Sequence, residues 1–239
     1  MPAVRLDPPR LAPGQLEALV ARARTAGQPA LVVEAEPTPD ELGRQLAQAG
    51  FALVRTTLQL RVDLPLPPER RGHPPEVVVR PFRVGVDEEA WLRVNNRAFA
   101  WHPDQADQTL DQLRRLEAEP WFRADGFLLH DDDEGHLDGF CWTKVHAAHE
   151  PPLGEIYVIG VDPDRHGAGL GRALVLAGLD WLTAQGLSHG MLYVEADNEP
   201  ALALYRALGF TEHQAHRWWR LDLSTVEAWP ATPNPPSTT

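Results

Sequence analysis

The chain has 239 residues, 22 basic and 34 acidic, and a net charge of −12, which argues against nucleic acid or an anionic membrane as its main partner. Hydrophobic residues make up 43% of it, enough for a sizeable core, yet no apolar run approaches the ~18 residues of a membrane span. A single cysteine, Cys141, excludes an internal disulfide and a cysteine-based metal cluster, and the start lacks an apolar signal core, so a cytoplasmic protein is expected.

Residues 11–26 read as a helix, with Leu11, Leu16, Leu19, Val20 and Ala23 on one side. A strand at Ala30–Glu34, a proline turn at Pro37–Pro39 and a helix at Glu41–Gln48 ended by Gly50 follow. Phe51–Leu64 suits two short strands or one bent strand. The proline-rich stretch 65–75 reads as a linker. After it come a strand at Val77–Pro81 and a helix through Phe99 capped by Asp87. A helix at Thr109–Glu119 is stopped by Pro120. Gly126–His130 and Leu137–Val145 are strands joined by the acidic turn Asp131–Gly135, which lacks the spaced ligands of a calcium loop. Gly154–Val161 is a strand, Leu170–Gln185 a helix, Met191–Ala196 a strand and Pro200–Leu208 a helix closed by Gly209. Phe210–Leu223 gives two more short strands, and 224–239 is a proline-rich tail expected to lack order.

Two segments echo each other. LVVEAEPTPDELGRQLAQAGF (31–51) parallels LYVEADNEPALALYRALGF (192–210), each preceded by a helix. The expected organisation is a partial, degenerate first copy at 1–64, the linker, and a complete module at 76–223. The first copy is expected to begin at its helix, with no upstream strand and no glycine turn, and so to hold no phosphate ligand.

The stretch VIGVDPDRHGAGLGRALVL (158–176) carries the most chemistry. An apolar strand enters the turn Gly167-Ala168-Gly169-Leu170-Gly171, and a helix leaves it. Glycines admit a phosphate close to the backbone, and a helix N-terminus presents free N–H groups and the positive end of its dipole. The P-loop pattern is absent, and the dinucleotide fingerprint would need glycine where Arg172 stands. The ten histidines show no metal-binding pair, so no metal is expected. Cys141 has no activating neighbours and reads as a small buried residue.

The strand–glycine turn–helix stretch resembles motif A of the GNAT acetyltransferase family, with Gly169 and Gly171 at its two small positions and His166 in place of the usual glutamine or arginine. EADNEPALALYRALGF (195–210) resembles the family's motif B. The resemblance implies an α/β (α+β) fold, a mixed twisted sheet flanked by helices, and acetyl-CoA as co-substrate. It implies coenzyme contacts from Ile159, Gly160 and Val161, from His166, Gly167, Ala168, Gly169, Leu170, Gly171 and Arg172, and from Asn198, Glu199, Pro200, Ala201, Leu202 and Ala203. Tyr205 is then the acid that protonates the departing coenzyme thiolate. Glu155, at the start of the strand, could take the proton of an ammonium substrate. Gly160 fits a bulge or a close approach.

Further stretches, LRVNNRAFAWHPDQ (92–105), GFCWTKVH (139–146), LGEIYVIGVDP (153–163) and LYVEADN (192–198), are similar to the mycothiol synthase branch of the family. That similarity implies substrate contacts from Asp104, Lys144, Glu155 and Tyr193. Asp104 departs from the branch, which usually has glutamate there. The implied acceptor is the cysteinyl amine of cysteinyl-glucosaminyl-inositol. A different amine, such as an amino sugar, polyamine or peptide N-terminus, or acetyl-CoA binding without turnover, remain the alternatives. A monomer or homodimer acting on a small molecule is expected.

Overall fold

The computed structural model describes residues 4–6, 11–12, 14–102, 105 and 107–224. The expected tail from residue 225 onward, and Asp104, lie outside the described residues.

In chain order the elements are β1 (Val4–Leu6), α1 (Gln15–Thr25), β2 (Ala30–Ala35), α2 (Asp40–Gln48), β3 (Ala52–Asp63), the short α3 (Pro68–Arg71), β4 (Arg80–Pro81), α4 (Glu88–Ala98) and α5 (Leu110–Glu117). They continue as β5 (Phe127–Asp131), β6 (Leu137–His146), β7 (Leu153–Val161), α6 (Leu170–Ala184), β8 (His189–Glu195), α7 (Glu199–Ala207) and β9 (Thr211–Asp222).

Several elements differ from the sequence reading, each for a physical reason. β9 is one strand of 12 residues where two were expected, and β3, for which one strand was among the alternatives, is also 12 residues long, because neither contains a glycine or proline to break it. β4 shrinks to two residues: His130 Nδ1 lies 2.9 Å from the Val78 carbonyl oxygen, so a side chain stands where a ladder bond would form. The linker contains a helical turn, α3, entered by Pro68. Asp87 occupies the N-cap position of α4 but makes no cap bond. Its carboxylate accepts instead from the Arg83 N–H at 2.7 Å and from the guanidinium groups of Arg80 and Arg83. Thr109 does cap α5, in a capping box with Gln112.

The chain forms two compact units. The first gathers Met1–Gln59, Val194–Glu199 and Glu212–Thr239. In it β1 runs parallel to β2, with Val4 beside Val33 and Leu6 beside Ala35. β2 is antiparallel to β9, from Ala30 beside Asp222 to Ala35 beside Arg217. Leu16, Val20 and Ala23 of α1 and Leu42 and Leu46 of α2 cover Val33, Ala35 and Leu221. The period of each helix therefore explains its buried face. β1 corrects the expectation that the first copy has no upstream strand: three residues are too few to show a period. Gly14 caps α1 at φ +73°, as Gly169 caps α6 at φ +80°. Both copies thus share the order strand, left-handed glycine, helix, strand, helix, strand. β9, which ends the second copy, lies beside β2 of the first and gives that strand a partner on the side away from β1.

The second unit gathers Leu60–Tyr193 and Pro200–Thr211. Its strands run in the order β8, β7, β6, β5, β4, antiparallel except for the β7–β8 pair. The Leu64 N–H at the end of β3 donates to the Ser188 carbonyl at 2.9 Å. An aromatic core lies under α4 and α5. The Phe127 ring stacks between Phe82, at 4.4 Å, and Trp142, at 4.3 Å. Trp91 meets Phe127 and Trp142 edge-on at 5.8 Å. On the other face α6 approaches closely: a Cβ on Gly178 would lie 2.4 Å from Cys141 Sγ and 2.7 Å from Ile156 Cδ1. Burial pushes the Cys141 thiol up to about 12, so it is an inert packing group.

Candidate active site

β7 is the spine of the site. Against β6 its register slips between Trp142 and Thr143, which leaves Tyr157 as the extra residue of a bulge. The bulge is therefore not at Gly160. That glycine serves a close approach, since a Cβ there would lie 2.8 Å from the Phe140 ring. Against β8 the register covers three pairs, Gly154 with Gly190, Glu155 with Met191 and Ile156 with Leu192. The Asp162 N–H donates to the Asp138 carbonyl at 2.8 Å, toward β6. Because N–H directions alternate along a strand, Ile159 and Val161 point theirs the other way, to the side away from β6.

The turn after β7 is held from several sides. Asp162 accepts from the Asp164 N–H at 3.0 Å. Arg97 pairs with Asp162 at 3.2 Å and with Asp164 at 2.7 Å. Arg165 bridges Asp132 and Asp138, each at 2.9 Å. His166 folds back so that its Nε2 lies 3.2 Å from the Val161 carbonyl oxygen, a local role for the residue that departs from motif A. Gly167 at φ +88° and Gly169 at φ +80° hold conformations that L side chains rarely adopt. The exposed turn delivers the chain into the N-terminus of α6, which suits an anion. Arg172 does not extend into solvent. Its guanidinium donates to the carbonyls of Arg70, at 2.7 Å, and Arg71, at 2.9 Å, and so ties α3 to the first turn of α6.

The structure brings Lys144 and Glu155 together as register partners across β6 and β7. Glu155 is 6% exposed, and its Oε2 lies 2.7 Å from His146 Nε2. Lys144 Nζ sits 4.2 Å over the Trp121 ring and 5.2 Å from that of Tyr157. Burial, then Glu155 and Glu119, push the Tyr157 phenol up, so it stays protonated at neutral pH. Sequence reasoning missed His146, Trp121 and Tyr157 at this place. The period-two spacing of Trp142, Lys144 and His146, which puts all three on one face of β6, was the available signal. Tyr193 lies on β8 two residues past Met191, the register partner of Glu155, and is 42% exposed.

Tyr205 is buried on α7, with its ring 5.6 Å from that of Phe210. Burial first, and Cys141 second, push its phenol well above the usual tyrosine range. Asn198 and Glu199 form the turn into α7, with the Asn198 N–H on the Glu195 carbonyl and the Glu199 N–H on the Asp197 carbonyl, each at 3.0 Å. Pro200, Ala201, Leu202 and Ala203 make its first turns, with Leu202 buried. Among the described residues, no group of three or more histidine, cysteine or acidic side chains is arranged to hold a metal ion.

A left-handed glycine turn at a helix N-terminus, fed by a strand with outward N–H groups, suits a phosphate-bearing ligand. The chain belongs to the acetyltransferase (GNAT) family, whose family model matches residues 89–210. It is 46% identical over 217 residues to a mycothiol acetyltransferase of Acidothermus cellulolyticus, covering 84% of this chain and 62% of that protein. It is 44% identical over 228 residues to a mycothiol acetyltransferase of Kocuria rhizophila, covering 89% and 72%. The chain thus spans 62% and 72% of the length of these two relatives, and little more than half of other mycothiol acetyltransferases it matches, such as that of Acidimicrobium ferrooxidans at 56%. In fold it is similar to a GCN5-related N-acetyltransferase from Sphaerobacter thermophilus, with TM-score 0.70, 23% identity, and coverage of 89% of this chain and 69% of that one.

Proposed function

We propose that the chain transfers the acetyl group of acetyl-CoA to the cysteinyl amine of cysteinyl-glucosaminyl-inositol, the last step of mycothiol biosynthesis. The observation that carries this reading is the left-handed glycine turn that leads from β7 into the N-terminus of α6. A strand edge with outward N–H groups suits the amides of a pantetheine arm, and the turn suits a pyrophosphate. The identity to two mycothiol acetyltransferases supports the choice of acceptor.

In this reading the Ile159 and Val161 N–H groups bind the pantetheine, and the backbone of 166–172 binds the pyrophosphate. Asn198–Ala203 flank the coenzyme. Lys144, Tyr193 and Asp104 hold the hydroxyl-rich acceptor. Glu155 takes a proton from the ammonium, which frees a lone pair to attack the thioester carbon. A strand N–H faces the developing oxyanion. The coenzyme leaves as a thiolate and takes the Tyr205 proton. Burial suits Tyr205 to this role, because it keeps the phenol protonated until an anion forms beside it. Catalysis then belongs to residues 76–223, with 1–64 as a non-catalytic copy.

The test incubates the protein with acetyl-CoA and either the cysteinyl acceptor or a panel of amino sugars, polyamines and peptides, with product read by mass spectrometry. Acetylation of the cysteinyl amine is expected. Turnover of other amines alone would refute the acceptor, and acetyl-CoA binding without turnover of any amine would refute the enzyme reading.

A further inference from the structure

We propose that His146 is a positioning residue for Glu155 and the outlet by which the substrate's proton reaches water. This rests on the reading of Glu155 as the base. Glu155 is 6% exposed, so a proton taken up there has no open route to solvent. Among the described residues, His146 is the hydrogen-bond partner of the Glu155 carboxylate, at 2.7 Å. The His146 side chain is 24% exposed, and its ring meets that of the exposed His149 edge-on at 5.8 Å. One end of the imidazole therefore touches the buried acid while its ring reaches the surface.

The groups around the pair leave the imidazole as the relay. Lys144, from β6, has its ammonium over the Trp121 and Tyr157 rings. Tyr157, from β7, is held protonated, and Glu119, after α5, acts on Tyr157. His149 lies in the turn between β6 and β7, on the outer side of His146. A histidine can accept on one nitrogen and release from the other, which none of these neighbours except His149 can do.

The proton count closes. The ammonium N–H bond breaks and an O–H bond forms on Glu155. The carboxyl passes a proton to His146 Nε2, which restores the carboxylate and makes an imidazolium. The imidazolium releases its Nδ1 proton to water, and a turn of the ring brings the unprotonated nitrogen back to Glu155 for the next turnover. The sum is one proton from amine to solvent, with no electron transferred.

The test compares E155Q, H146A and H146Q in the full chain, with acetyl-CoA and cysteinyl-glucosaminyl-inositol. Acetylated product is followed by mass spectrometry and acetyl-CoA binding by calorimetry. H146A is expected to lower kcat by about tenfold or more while acetyl-CoA affinity stays within about twofold. Added imidazole is expected to restore its kcat with rising concentration. H146Q keeps a hydrogen bond but cannot take up and release a proton, so it should be equally slow, with a kcat that rises with buffer concentration. Imidazole should leave E155Q unchanged. Wild-type kcat in H146Q would overturn the outlet, as would slow histidine variants that ignore imidazole and buffer. Should H146A fail to unfold cooperatively, H146Q decides alone. Wild-type turnover in E155Q would instead remove the base reading, whatever the histidine variants do. An inactive wild type would remove the proposed function and this inference with it.

Discussion

Replacing Asp87 by asparagine should weaken the fold by an amount that depends on pH in a defined direction. Asp87 is 3% exposed. Burial by itself would raise its pKa, but the Arg83 and Arg80 side chains and the Arg83 N–H outweigh burial and hold it at about 2, against an ordinary 3.8. At about 1.4 kcal/mol per tenfold change in proton affinity, that difference gives the folded chain roughly 2 kcal/mol at neutral pH. The folded carboxyl is the stronger acid. The contribution is therefore complete above the unfolded value and is lost as pH falls through the folded one; about half remains near pH 3. Asp87→Asn keeps the size and an oxygen for the Arg83 N–H but removes the charge. Urea unfolding should show the variant about 2 kcal/mol less stable at pH 7, with the gap narrowing to about 1 kcal/mol near pH 3. A gap below about 0.5 kcal/mol at pH 7, or one that does not change with pH, would refute this account of the Arg80–Asp87–Arg83 cluster.

Gly178→Ala should destabilise by about 1–3 kcal/mol in thermal unfolding, since its Cβ would press on Cys141 Sγ. Adding Cys141→Ala should make the double variant less destabilised than the sum of the two singles; strict additivity would deny the clash. Tyr205→Phe should lower kcat by about 10²–10⁴ with acetyl-CoA affinity unchanged, and wild-type turnover would remove Tyr205 as the acid. Thr109→Ala should cost about 1 kcal/mol and speed hydrogen exchange in the first turn of α5, because it breaks the capping box.

The parts of this fold legible in the sequence are those set by local patterns. The α6 helix, the glycine turn and β7 follow from periodicity and from residues whose conformational freedom is their signal. The rest depends on partners distant in the chain. β1 becomes a strand because β2 offers it an edge, and nothing within Val4–Leu6 announces that. Asp87 sits where a cap belongs, but Arg80 and Arg83 compete for its carboxylate, and only the folded geometry decides between them. In the site, Glu155 and Tyr205 were named from motifs. His146 joins Glu155 because the β6–β7 register sets Lys144 opposite Glu155 and so brings His146, two residues on along the same face, diagonally beside it, and the bulge at Tyr157 that shifts this register leaves no mark on composition. Arg172 shows the converse: the motif suggests a phosphate contact, whereas its side chain is held by two carbonyls of α3.

The place of β9 beside β2 bears on how the protein is made. β2 leaves the ribosome long before Thr211–Asp222, the strand that pairs with it on its second side. At about 5–20 residues per second, β2 waits on the order of ten seconds or more for Thr211–Asp222, with one edge uncovered. The unit that holds β2 therefore matures only after Asp222 has been synthesised, and a chain stopped before Thr211 would carry that open edge permanently.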